Sequence, residues 1–250
     1  MKYTKVVVLS KTPNPQRTAA LAMHGCYSEL PLSEQVKWMT LDETVAGQRV
    51  VDKCLKYGHW GIIEANAITF SVEGYPHSVM QQLRTHRHLS VAAQSLRYTG
   101  QRFLQWTLLH GDNLLSQESV EEFEKLFYIR EPGHYADRFG NKIDWTEDVL
   151  GQGRYHSMKS VSAIVQRYLI DKKMPFEMVR DLLPAGYRQN FVVTGNARSM
   201  LHLLDLRLPK NAQLEIAHAC EGIKEHMEEW MPEVMAYYDK SRAYKNKLAP

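Results

Sequence analysis

The sequence predicts an α+β fold in a single domain over residues 1–250, with long helices packed on a small sheet. Three observations predict it. Strand-like runs rich in Val, Ile, Thr and Phe are few and short. Helix-like stretches are longer and fill most of the second half. The two kinds do not alternate as a doubly wound sheet requires.

In chain order, residues 3–10 read as a Val-rich strand ended by the Pro13-Asn14-Pro15 breaker. Helices follow over 15–26 and 41–57, the second with an apolar face of Val45, Val50, Val51, Cys54 and Leu55. Residues 66–73 suit a strand that Gly74-Tyr75-Pro76 punctuates. Pro76 then opens a helix with Val79, Met80 and Leu83 on one face. Pro132-Gly133 and Phe139-Gly140-Asn141 suggest a hairpin or excursion loop within 126–147. Helices are expected over 156–172 and 175–183, a short extended piece over 188–194, then helices over 196–207 and 211–230. Trp230-Met231-Pro232 bends or ends the last of these.

Composition narrows the function classes. Hydrophobic residues make up 44% and charged residues 24%, so the chain can bury a core. A net charge of +3 is too small for a dedicated nucleic-acid binder and suits an anionic small ligand. Cys26, Cys54 and Cys220 are sparse, odd in number and lack a C-x-x-C pair. They read as small buried hydrophobes rather than a disulfide framework or a thiolate metal site. The apolar run at the N-terminus is too short for a secretory leader or a membrane span, which reads as a cytoplasmic protein.

Chemistry concentrates in two segments. Between Gln82 and Arg102 stand Arg84, Arg87, Arg97 and Arg102 with His86 and His88, and almost no acid to neutralise them. Arginine presents a planar fork that matches phosphate oxygens, and Ser90 and Ser95 add hydroxyl donors. A solvated basic face at a helix end explains the same residues. A metal site at His86 and His88 fits poorly: the i,i+2 spacing splits them across a helix and no carboxylate is near. The second segment runs from Arg180 to Glu215. In it Asn196 suits a helix N-cap, Arg198 and His202 share a helical face, and Met200, Leu201, Leu204 and Leu206 supply buried contacts. Arg207 stands at the helix end. By itself, this is also what a capped helix with a basic end looks like.

At these segments the chain resembles the flavin-dependent thymidylate synthases. Their Arg-His-Arg hallmark, seven residues and a Ser correspond to Thr85-His86-Arg87 and Ser95, continued by Arg97-Tyr98. Arg180 to Pro184, Asn196 with Arg198, Arg207, and Ala212-Gln213-Leu214-Glu215-Ile216 match the later blocks. Upstream, Pro13-Asn14-Pro15, Cys26-Tyr27-Ser28, Gly58-His59 and Glu64 resemble the opening blocks. Thr85 replaces the hallmark's first arginine, with Arg84 adjacent, and Ala92 and Ala93 stand where the family often carries Asn-Glu.

The resemblance implies the family's fold, with a small, mainly antiparallel sheet. It also implies reductive methylation of dUMP to dTMP, with methylenetetrahydrofolate as one-carbon donor and FAD, reduced by NADPH, as hydride carrier. It makes Arg207 the catalytic residue that favours loss of the uracil N3 proton, and Gln82, Ser95, Arg97, Arg180 and Arg207 the dUMP ligands. His86, Arg87, Asn196, Arg198 and His202 would hold FAD, with His59, Ser28 and Gly61 on the flavin or folate side. It further implies a homotetramer with sites between subunits, and neither metal, nucleic acid nor membrane as partner. Gly151-Gln152-Gly153 lacks the third glycine of a dinucleotide-binding turn, so a Rossmann FAD site is not expected. A folate-dependent dUMP hydroxymethylase of the same fold, or a non-catalytic nucleic-acid-binding module, are the alternatives.

Overall fold

The computed structural model describes residues 1–136 and 139–245. Its elements begin with β1 (Lys5–Lys11), α1 (Pro15–Gly25), α2 (Val36–Met39), α3 (Glu43–Lys53), β2 (Ala67–Pro76), α4 (His77–Leu83) and β3 (Ser90–Ala93). There follow α5 (Leu96–Thr99), α6 (Gln101–His110), α7 (Gln117–Leu126), β4 (Gly133–Ala136), β5 (Lys142–Trp145) and α8 (Glu147–Ile164). The last elements are α9 (Phe176–Val179), β6 (Arg188–Asn196), α10 (Ala197–Arg207), α11 (Leu214–Trp230) and α12 (Pro232–Ser241). The fold is α+β, with a small antiparallel sheet in strand order β1-β2-β6-β3 and a separate β4-β5 hairpin. Among the described residues no helix is long and apolar enough to cross a membrane.

The chain gathers into two compact units, and β2, β6, β3 and α4 carry it between them. The first comprises Met1–Thr4, Glu73–Gln81 and Ala93–Phe191. Its core is aromatic. The Phe123 and Phe127 rings stack 4.9 Å apart, Trp106 lies 4.9 Å from Phe123, and Phe103 meets Phe127 edge-on. Phe103, Phe123 and Phe127 are buried, each contributing about 1.5–3 kcal/mol of apolar transfer. The Trp106 indole N–H donates to the Ser119 carbonyl at 3.1 Å, which joins α6 to α7. Arg188 is buried among backbone acceptors, donating to the carbonyls of Glu124 and Gly74. Gly74 has φ +71°, and a Cβ there would stand 1.9 Å from the Tyr3 carbonyl oxygen, so only glycine fits.

The second unit comprises Lys5–Val72, Gln82–Ala92 and Val192–Pro250. Asn14, between two prolines, takes a left-handed conformation at the start of α1 and makes no side-chain cap. The Glu43 carboxylate of α3 supplies that cap, accepting from the Gln16 and Arg17 N–H groups at 3.0 and 3.1 Å. Buried Gln16 then bonds Glu43 and Glu233 and accepts from the N–H groups of Glu233 and Val234, which ties α12 to α1 and α3. A Cβ at Gly47 would collide with the Gln16 amide at 2.4 Å. α10 buries Ala197, Met200, Leu201, Leu203 and Leu204 against α11 and the turn Trp60–Ala65.

The structure corrects several sequence expectations. β2 runs through Gly74-Tyr75-Pro76 instead of stopping before it. The helix expected from 156 begins at Glu147, where Thr146 accepts from the Val149 N–H, and it ends in a wider turn over Val165–Asp171. Ser90–Ala93 forms a strand inside the basic segment. Cys26, Val45 and Leu206 are exposed rather than buried. The hairpin expected within 126–147 is present, with Gly133 opposite Trp145 and Ala136 opposite Lys142. Asp137 and Arg138 lie outside the described residues. α6 and α7 occupy a stretch for which the sequence pattern suggested no element.

Candidate active site

The predicted residues divide between the two units. In the second, α10 organises the site. Asn196 caps it as expected, its side-chain oxygen accepting from the Ser199 N–H at 2.8 Å. Arg198 in the first turn and His202 four residues later project from the same helix, and Arg207 is its last residue. The turn after α4 supplies the residues that meet Arg207. Its Nε donates to Nε2 of His86 at 3.0 Å, and its Nη2 lies 3.4 Å from Oγ1 of Thr85.

His86 is buried, with the His202 ring edge-on at 6.2 Å. Burial, with the Arg207 charge and then His202, brings its pKa down to about 4. At neutral pH the ring is therefore uncharged, its proton assigned to Nδ1 because Nε2 accepts from Arg207. The expected result is that the His86 ring resonances hold steady from pH 8 to pH 5 in a two-dimensional NMR titration, while free imidazole added as a reference shifts across the same range. A normal His86 titration would refute its neutral role. The linked stability has a definite sign. A folded pKa below the unfolded value near 6.5 gives stabilisation that is full above pH 6.5 and is lost as pH falls toward about 4.

A second chain of hydrogen bonds continues from this turn. Thr85 Oγ1 donates to the Gln82 carbonyl at 2.7 Å. The Gln82 amide donates to Gln213, whose own amide donates to the buried Glu215 carboxylate at 2.7 Å. Sequence reading left Gln213 and Glu215 without a role, although both sit in the Ala-Gln-x-Glu-Ile block. Elsewhere in this unit Arg198 pairs with Glu64 at 2.6 Å and Arg87 is exposed. His59 and Gly61 are exposed at the turn that begins with Trp60, with open space where a Gly61 Cβ would stand. Ser28 accepts from the Leu30 N–H at 3.1 Å. These last three are not brought into hydrogen-bond contact with the His86–Arg207 pair.

In the first unit, Ser95 is the N-cap of the short helix α5 and accepts from the Arg97 N–H at 3.3 Å. Arg97 pairs with Glu177 at 2.8 Å, and Arg180 stands 3.5 Å from Asp181. Among the described residues no basic side chain is hydrogen-bonded to the Ser95 hydroxyl. Cys54 and Cys220 are buried, and burial pushes both thiols up, so neither is a ready nucleophile at neutral pH.

The donors on and around α10 are imidazole, guanidinium and amide groups. That chemistry fits an anionic dinucleotide such as FAD: it offers charge and N–H groups for a pyrophosphate without a nucleotide-binding glycine turn. The fold and the site define an α+β protein in which a guanidinium at the end of α10 is held by two uncharged acceptors.

The family model described as thymidylate synthase complementing protein matches residues 7–233. A flavin-dependent thymidylate synthase from Haloarcula marismortui is 28% identical, covering 98% of this chain and 99% of its own. One from Halobacterium salinarum is 29% identical over 98% and 100%. Among solved structures, the flavin-dependent thymidylate synthase of Helicobacter pylori, complexed with FAD and dUMP, superposes with TM-score 0.68 at 16% identity. It covers 91% of this chain and 97% of its own. A UMP/dUMP methylase from Streptomyces cacaoi, bound with 5-Br UMP, gives 0.69 at 16% identity over 99% and 97%. The chain belongs to the thymidylate synthase complementing protein family.

Proposed function

We propose that the chain is a flavin-dependent thymidylate synthase that converts dUMP to dTMP with methylenetetrahydrofolate as one-carbon donor. The observation that carries this reading is Arg207. Arg97, Arg180 and Arg198 each face a carboxylate, whereas Arg207 is fixed by the neutral acceptors His86 and Thr85 and keeps its full charge. A fixed, unquenched guanidinium stabilises the negative charge that develops on the uracil ring as the N3 proton leaves. That charge is relayed to carbon 5, which becomes nucleophilic without a cysteine adduct.

Gln82, Ser95, Arg97 and Arg180 are assigned to dUMP, the arginines exchanging their carboxylate partners for phosphate or base. His86, Arg87, Asn196, Arg198 and His202 are assigned to FAD, and His59, Ser28 and Gly61 to the flavin or folate side. When bound, FAD reduced by NADPH supplies the hydride. The protein's part is to bind, orient and set charge. One family model runs through segments of both compact units, which supports reading the chain as one functional domain. A homotetramer with sites shared between subunits, working in the cytoplasm, completes the proposal.

The test is incubation of the purified protein with FAD, NADPH, methylenetetrahydrofolate and dUMP, with the nucleotide analysed by mass spectrometry. The expected product is dTMP. Hydroxymethyl-dUMP, heavier by one oxygen, or unchanged dUMP would overturn the assignment.

A further inference from the structure

The turn that follows α4 puts two hydrogen-bond acceptors, adjacent in sequence, on one edge of Arg207. Nε of the guanidinium points at the His86 ring nitrogen at 3.0 Å, and Nη2 at the Thr85 hydroxyl at 3.4 Å. The Thr85 proton is already spent on the Gln82 carbonyl at 2.7 Å, so its oxygen faces Arg207 with lone pairs. Among the described residues nothing hydrogen-bonds Nη1. The clamp therefore fixes the plane of the guanidinium from its Nε–Nη2 side and leaves the other end for a ligand. Both acceptors are uncharged, so orientation is gained without neutralising the cation. A carboxylate at either place would hold Arg207 more tightly and weaken its field.

Thr85 stands where the hallmark of the resembling family carries arginine. A second guanidinium there offers no acceptor and repels Arg207. We propose that Thr85 is a positioning residue for this enzyme, its hydroxyl acting with His86 as a neutral clamp that aims Arg207 at the uracil ring. This rests on Arg207 being the activating arginine. The threonine is thus a working part of this chain's site, and an arginine at the same position would remove the acceptor it supplies.

Two measurements test it. The first uses protein without FAD and follows the Arg207 Nε–H resonance by nitrogen-15 NMR, assigned by its loss in Arg207→Lys. A held guanidinium gives a sharp Nε–H signal. The expected result is a sharp signal in the wild type and in Thr85→Ser, and a broadened or exchanging one in Thr85→Val and Thr85→Arg. The second is steady-state kinetics. Thr85→Val is expected to lower kcat about tenfold, the scale of one hydrogen bond to a charged group, with KM for dUMP within about twofold. Thr85→Ser should restore kcat. Thr85 is exposed, so these variants keep the fold, and circular dichroism checks it. A sharp signal in Thr85→Val overturns the clamp, and a perturbed signal with unchanged kcat overturns its positioning role. Should Arg207→Lys turn over dUMP like the wild type, the activating-arginine reading fails, and the positioning role fails with it. The resonance data still judge the clamp as structure.

Discussion

Arg207→Ala is expected to lower kcat by about 10²–10³, the range for removing a preorganised group that stabilises developing charge. KM for dUMP should change far less, because the guanidinium is asked to act on the charge that appears as the N3 proton leaves. Steady-state kinetics with dUMP varied, together with direct dUMP binding to the variant, separates the two effects. A rise in KM at unchanged kcat would mean that Arg207 contributes only uniform binding, and the activating role would be lost. His86 makes the test sharper. Its pKa near 4 keeps the imidazole uncharged at working pH, so it accepts from Arg207 instead of repelling it. Replacing His86 by Leu removes the stronger of the two acceptors and should reproduce part of the Arg207→Ala loss while leaving the cation in place.

What the sequence made legible follows from the range of the interaction involved. The Pro13-Asn14-Pro15 breaker, the Asn196 cap, the hairpin glycines and the apolar runs act within a few residues, and the elements they mark are present. Contacts between residues far apart in the chain are another matter. Arg207 and His86 are 121 residues apart, and no local pattern says that one donates to the other. Nor does periodicity reveal that Glu43 caps α1 or that Thr85 supplies an acceptor. In sequence Thr85 reads as a defect in a motif; only the contact with Arg207 gives it a use. The basic segment shows a second limit. Its charge drew attention to ligand chemistry, while the backbone of Ser90–Ala93 pairs as a strand in the sheet.

Arg242→Ala should cost about 3–5 kcal/mol of folding stability, the range for stripping one partner from a buried ion pair. Asp205, on the inner face of α10, is almost completely buried, and Arg242 donates to its Oδ2 from Nη2 at 2.7 Å and from Nε at 3.2 Å. Burial pushes the Asp205 carboxyl up, and the Arg242 bonds pull it back down. Without Arg242 the largest counterweight to burial is gone, and the carboxylate is left charged in a largely apolar place. The loss, read from urea unfolding, should be largest at neutral pH and shrink as acid protonates Asp205, because the neutral acid is the cheaper group to bury. Adding Asp205→Asn to Arg242→Ala removes the charge and should recover most of the stability. If Arg242→Ala unfolds at the wild-type midpoint, the pair is not structural. Arg242 lies beyond residue 233, where the family match ends, yet its partner sits two residues before Arg207. A helix that must hold a guanidinium in a fixed plane is anchored here by a second arginine whose own charge is fully neutralised. Two arginines thus meet α10 in opposite ways: Arg242 pairs with the Asp205 carboxylate, and Arg207 is held by the neutral acceptors His86 and Thr85.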